Sequence, residues 1–114
     1  MLEQLDDNLA KVFAALESTG MAEHTVVAVM QDNGGQSSEG GGSNWPRRSQ
    51  KGTYYQGGIK SNVAFWSGGS VIPASRRGAV YDGMFHVTDL FPTLVGGVAG
   101  GDLSGLPLDG YNHW

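Results

Sequence analysis

Cysteine is absent from the 114 residues. That removes disulfides, zinc-thiolate sites and thiol catalysis together, and leaves no redox clue to compartment. Basic residues are scarce as well: seven Lys and Arg against eleven Asp and Glu give a net charge of −4. With no basic run, nucleic acid and anionic membrane are not expected as main partners. Long apolar runs are missing, the longest being far short of the roughly 18 residues that span a bilayer. Met1 leads straight into Glu3, Asp6 and Asp7 rather than a basic and then apolar stretch, so no secretory signal is expected here. No internal repeat stands out.

Glycine is abundant instead, with 19 residues. They concentrate in 34–42, 52–69 and 96–105, which predicts long loops joining a few regular elements. Leu2, Leu5, Leu9, Val12, Phe13 and Leu16 recur at helical spacing, with Glu3, Asp7, Lys11 and Glu17 on the other side. Ser18-Thr19-Gly20 supplies the stop, glycine suiting a left-handed cap. This helix is expected to pack its apolar stripe on a sheet.

Thr25-Val26-Val27-Ala28-Val29-Met30 reads as a strand buried on both faces, of the kind found inside a parallel sheet. Helix followed by strand is one half of a right-handed α/β crossover. The strand drops into Gln31-Asp32-Asn33-Gly34-Gly35, placing two hard oxygen donors at its carboxyl end, where open α/β folds bind ligands. Asp32 and Asn33 suit half of a Ca²⁺ or Mg²⁺ site; the same tetrapeptide also makes an ordinary tight turn. A Ser/Gly loop over 36–50 has no hydrophobic period, and its length in a compact domain favours a functional role. Trp45 either covers an edge of the core or, with Arg47 or Arg48, contacts an anionic or sugar-bearing ligand. Lys51 opens Lys51-Gly52-Thr53-Tyr54-Tyr55-Gln56-Gly57-Gly58, and beside a cation it could neutralise charge on a bound anion. Asn62–Trp66 is a second strand, and Arg76-Arg77-Gly78 an exposed turn. His24 is a solvated loop residue. Tyr81–Val87 is extended or a short strand, and Thr88 is expected to cap a helix running to about Ala99, with Pro92 in its first turn. His86 is expected to be buried rather than to form a catalytic pair with Asp89.

The order of these motifs, continuing through His86-Val87-Thr88-Asp89-Leu90-Phe91-Pro92-Thr93-Leu94 and Pro107-Leu108-Asp109-Gly110-Tyr111, resembles the sulfatase family, of arylsulfatase type, within the alkaline-phosphatase-like superfamily. The resemblance covers nearly the whole chain. It implies an α/β sandwich with a mixed, mostly parallel central sheet flanked by helices. It makes Asp32 and Asn33 ligands of an active-site Ca²⁺, and Lys51 a catalytic residue contacting sulfate. It also implies a formylglycine nucleophile made within a Cys/Ser-x-Pro-x-Arg motif, which this chain lacks. Residues 1–114 are therefore expected to be the latter part of a sulfatase catalytic domain, without the half that carries the nucleophile. The expected activity is hydrolysis of sulfate esters, on small molecules or sulfated sugars, with the fragment alone inactive and its Ca²⁺ site incomplete. Unpaired sheet edges are expected to favour self-association. Two alternatives stay open: a non-catalytic binding or assembly module of the same fold, and a phosphate or phosphonate ester hydrolase of the superfamily. The latter usually wants more histidine than the three present. Family members are mostly secreted, periplasmic or lysosomal, and no compartment is assigned.

Overall fold

The structure, a computed structural model, describes residues 2–114. It divides into two compact units, residues 27–66 and residues 2–26 with 67–114.

The first unit is built on two short strands, β1 (Val27–Met30) and β2 (Val63–Trp66). They pair antiparallel, with Val27 opposite Trp66 and Met30 opposite Val63. Gln31 and Asn62 extend the ladder: the Gln31 N–H donates to Asn62 O at 3.1 Å, and the Asn62 N–H donates to Gln31 Oε1 at 3.2 Å. β1 begins two residues later than the apolar run. It is also half-buried rather than covered on both faces, with Met30 exposed. A strand with one ladder neighbour and no second layer within its own unit has nothing there to cover both faces.

The long connection between the strands carries a 3₁₀ turn at Ser37–Glu39 and the one-turn helix α1 (Gln56–Ile59). Its ends meet through backbone contacts that only glycine permits. A Cβ on Gly34 would stand 1.8 Å from Gly57 O, and one on Gly57 would stand 2.2 Å from Ser49 O. Trp45 does not cover a core edge; it is 87% exposed.

The second unit opens with α2 (Leu2–Ser18) and a 3₁₀ turn at Met21–His24. Gly20 takes φ 72° between them, as the expected left-handed stop requires. The apolar stripe is left open rather than buried. Leu2 is 82% and Leu5 55% exposed, and the helix buries no residue. The two sequence-distant parts of this unit meet where Gly69 lies against Glu23, a Cβ there falling 2.2 Å from Glu23 O. A 3₁₀ turn at Ala74–Arg76 follows, and the exposed Arg77 donates to the carbonyls of Gly69 and Ile72.

No strand forms over 81–87. The chain runs extended into a 3₁₀ turn at Val87–Asp89, then through Leu90 and Phe91 into a π-helical stretch, Pro92–Val98. The Ala99 N–H reaches back five residues to Leu94 O at 3.0 Å, the wide turn of a π-helix. The expected helix is therefore present, but its cap is His86 and not Thr88. His86 Nδ1 accepts the Thr88 N–H, and Asp89 accepts the His86 N–H in return. Thr88 sits inside the turn, where its hydroxyl bonds His86 Nδ1 at 3.0 Å. Serving as the cap keeps His86 at the surface, exposed rather than buried. The final residues return over this helix. Gly97 lies under Trp114, and Gly110 lies against Thr88, where a Cβ would stand 2.1 Å from Thr88 O. Buried apolar side chains are few among the described residues, namely Ala22 and Pro92.

Candidate functional site

β1 ends in a turn whose geometry comes from its own side chains. Asp32 Oδ1 accepts the Asn33 N–H at 2.9 Å, and Asn33 Nδ2 donates to Gly34 O at 2.9 Å. The Gly34 N–H then donates to Gly58 O at 2.9 Å, fixing the turn against α1. Asp32 is exposed and Asn33 half-buried. Since Asn33 spends its nitrogen on Gly34, its amide oxygen is the atom left to face outward chemistry.

Lys51 approaches this turn through its backbone, its N–H donating to Gly35 O at 3.1 Å. The two sequence-predicted parts, the Asp32-Asn33 pair and Lys51, are thus brought to one turn within one unit. The residue that organises the approach is Asn44. Its Oδ1 accepts the Gly35 N–H at 2.8 Å, and its Nδ2 donates to Gly35 O at 2.8 Å and to Ser49 O at 3.1 Å. One amide therefore clasps the strand end to the segment entering Lys51. Gln50 adds a second tie, accepting the Ser38 N–H at 2.8 Å. The sequence held one cue to Asn44, an asparagine closing a Gly/Ser loop just before Trp-Pro. Its partner nine residues earlier leaves no pattern of its own. Beyond the turn, the Arg48 guanidinium stacks over the Tyr55 ring at 3.9 Å, while Arg47 closes a turn by donating its N–H to Asn44 O at 2.8 Å.

The chemistry of the Asp32-Asn33 pair suits a hard divalent cation in kind, since both offer oxygen. In number it falls short. Among the described residues no three His, Cys, Asp or Glu side chains gather closely enough to hold a metal.

A second cluster lies in the other unit and was only half visible in the sequence. Asp89 is buried and fully engaged. It takes the His86 N–H on Oδ2 at 2.8 Å, the Tyr111 N–H on Oδ1 at 2.9 Å, and meets His113 Nε2 on Oδ2 at 3.1 Å. The His86 N–H, foremost, and the Tyr111 N–H hold its carboxyl below the ordinary 3.8. Burial pushes the other way, and His113 adds a further lowering. His113 also donates its backbone N–H to Thr93 Oγ1 at 3.1 Å, and its Nδ1 lies 3.1 Å from the Tyr81 hydroxyl. Asp89 therefore pairs with His113 and not with His86 as a side-chain partner. A contact across 24 residues has no local periodicity to announce it.

The family profile described as Sulfatase matches residues 1–100, and the chain belongs to the sulfatase family. Its relatives include arylsulfatases. Arylsulfatase J of Mus musculus is 38% identical over 114 residues, all of this chain and 18% of that protein. A Sulfatase of Formosa agariphila is 36% identical over 101 residues, covering 82% of this chain and 17% of its own length. Arylsulfatase A of Homo sapiens is 32% identical over 114 residues, covering 97% and 21%. The chain thus spans about a fifth of the length of these relatives. No solved structure matches it. Membership gives the α/β class of the family.

Proposed function

We propose that this chain is part of an arylsulfatase-type sulfuric ester hydrolase, acting on a sulfate-ester small molecule or a sulfated sugar. In this reading Asp32 and Asn33 are two oxygen ligands of a Ca²⁺ ion, and Lys51 contacts the sulfate group. The complete domain carries a mostly parallel central sheet. The observation that carries the reading is the tie of Lys51 to the end of β1 through Gly35 and Asn44, in a chain of sulfatase ancestry. A carboxylate and an amide oxygen on one turn, with the backbone of a lysine tied to the same turn, are the kinds of group that binding a sulfate beside a cation uses.

A bound divalent cation would supply fixed positive charge against the sulfate oxygens. The chain's own groups do the rest. Asp32 presents a carboxylate to solvent, and Asn33 is held in place by its bond to Gly34. Lys51 brings a positive charge on an exposed loop whose backbone is anchored. The sequence contains no Cys/Ser-x-Pro-x-Arg, so no formylglycine nucleophile arises within these residues. Two oxygen ligands against the six to eight that Ca²⁺ takes give little affinity. The 114-residue chain alone is therefore inactive and binds Ca²⁺ weakly or not at all.

Reading the coding DNA upstream in the same frame is the direct test. A Cys/Ser-x-Pro-x-Arg motif is expected there. A complete open reading frame without one would leave the non-catalytic module as the better account.

A further inference from the structure

Asp89, His113 and Tyr81 form a hydrogen-bonded chain that the proposed sulfatase site does not use. Asp89 as a carboxylate has no proton to give, so the His113 nitrogen facing it, Nε2, must be the donor at 3.1 Å. In the neutral imidazole Nδ1 is then bare. The Tyr81 hydroxyl, 3.1 Å from Nδ1, is left as the donor of that bond. Buried carboxylate, oriented imidazole and a hydroxyl on the free nitrogen is the arrangement by which a base activates a nucleophile. The imidazole is held on its other sides too. Its ring packs at 5.1 Å from Phe85 and edge-on to Tyr81 at 5.6 Å, and its backbone N–H is fixed by Thr93. Asp89 in turn is fixed by the backbone N–H groups of His86 and Tyr111. The phenol itself faces solvent, Tyr81 being 63% exposed, so a reagent can reach it.

We propose that Tyr81 is a base-assisted nucleophile and a modification site for sulfonyl electrophiles, with His113 as its base and Asp89 as the positioning residue. In the step, the Tyr81 Oη–S bond forms as the bond from sulfur to the leaving group breaks. The phenol proton passes to His113 Nδ1, and the leaving group departs with the electron pair. With an arylsulfonyl fluoride the leaving group is fluoride, and no oxidant or reductant is needed.

The chain carries its own control. Tyr54 is 98% exposed, against 63% for Tyr81, and makes no hydrogen bond through its hydroxyl among the described residues. If exposure alone sets reactivity, Tyr54 is labelled first. If the relay sets it, Tyr81 is labelled faster by about a hundredfold, the lower end of general-base assistance. Rates are read by treating the intact chain with a benzenesulfonyl fluoride and mapping the labelled peptides over time. Gly83 provides a variant outside the relay, because a Cβ there would stand 2.2 Å from the Tyr81 Oη. Gly83→Ala pushes the phenol aside while leaving the His113 and Asp89 side chains in place chemically, and circular dichroism checks that the fold is kept. The expected result is a fast Tyr81 in the natural chain that falls to the Tyr54 rate in Gly83→Ala. Equal rates in the natural chain, or a Tyr81 rate unmoved by Gly83→Ala, would overturn the proposal.

Discussion

Asn44 and Gly34 carry more of the first unit than their size suggests. Asn44 makes three of its bonds to main-chain atoms of Gly35 and Ser49, so Asn44→Ala leaves the Gly35 N–H and C=O short of a partner at once. Losing such a bond costs about 1 kcal/mol, or roughly fivefold in a local opening equilibrium. Hydrogen exchange at the Gly35 amide is expected to quicken by at least that factor. Unchanged exchange would show that Asn44 is not the clasp. Gly34→Ala is the harsher change. Its Cβ would meet a backbone carbonyl, Gly57 O, which cannot swing away as a side chain can. Overpacking of this kind costs on the order of 1–3 kcal/mol. Denaturant unfolding followed at Trp66 should show at least the lower figure, together with loss of the Gly34 to Gly58 bond.

At the scale of elements, what the sequence made legible was whatever is local. The helix over Leu2–Ser18, its glycine stop, both strands and the helical run ending near Val98 follow from periodicity and turn chemistry. The cap at His86 was missed because Thr is the usual capping residue, and only the reciprocal bond from Asp89 favours the histidine. Asp32, Asn33 and Lys51 were proposed from the sequence, and the structure ties the Lys51 backbone to the turn that follows Asp32 and Asn33. Asn44 and His113 were not legible, since their partners lie 9 and 24 residues away. The fate of α2 shows a different limit: an amphipathic pattern predicts a buried face without saying what buries it. With Leu2, Leu5 and Val12 exposed, this face should drive association. Leu5→Glu is expected to lower the sedimentation coefficient at high concentration while the far-ultraviolet helix signal holds. Falling helicity with unchanged association would mean instead that Leu5 stabilises the helix itself. The C-terminal return gives a pH prediction. Asp89 binds its proton less readily folded than unfolded. Its stabilisation is therefore complete above the ordinary value of 3.8 and is lost as pH falls through the lower folded value. Tyr111 amide protection should collapse on acidification below 3.8. In Asp89→Asn it should already be about tenfold weaker at neutral pH, as expected for losing a hydrogen bond to a charged group, with little left to titrate.

For the whole molecule the two parts of the candidate site, the proposed ion ligands and the proposed sulfate contact, sit in residues 27–66, while the proposed Tyr81 relay sits in the other unit. Calcium titration by calorimetry should give no heat, and an aryl sulfate should release no phenol above the uncatalysed rate. Micromolar calcium binding with a gain of structure would mean that the chain closes a metal site from its own donors. Gly35, Asn44 and Lys51 clasp the two ends of the glycine loop, and Gly41 closes a smaller turn on Gln36 inside it. Gly42, just after that turn, bears no share of the clasp and has open space around it, and doubling a flexible loop costs only about 0.6 kcal/mol. The peptide bond after Gly41 is therefore a port. An epitope or affinity tag spliced there should be displayed at the surface with the Gly35 and Lys51 amide resonances unmoved.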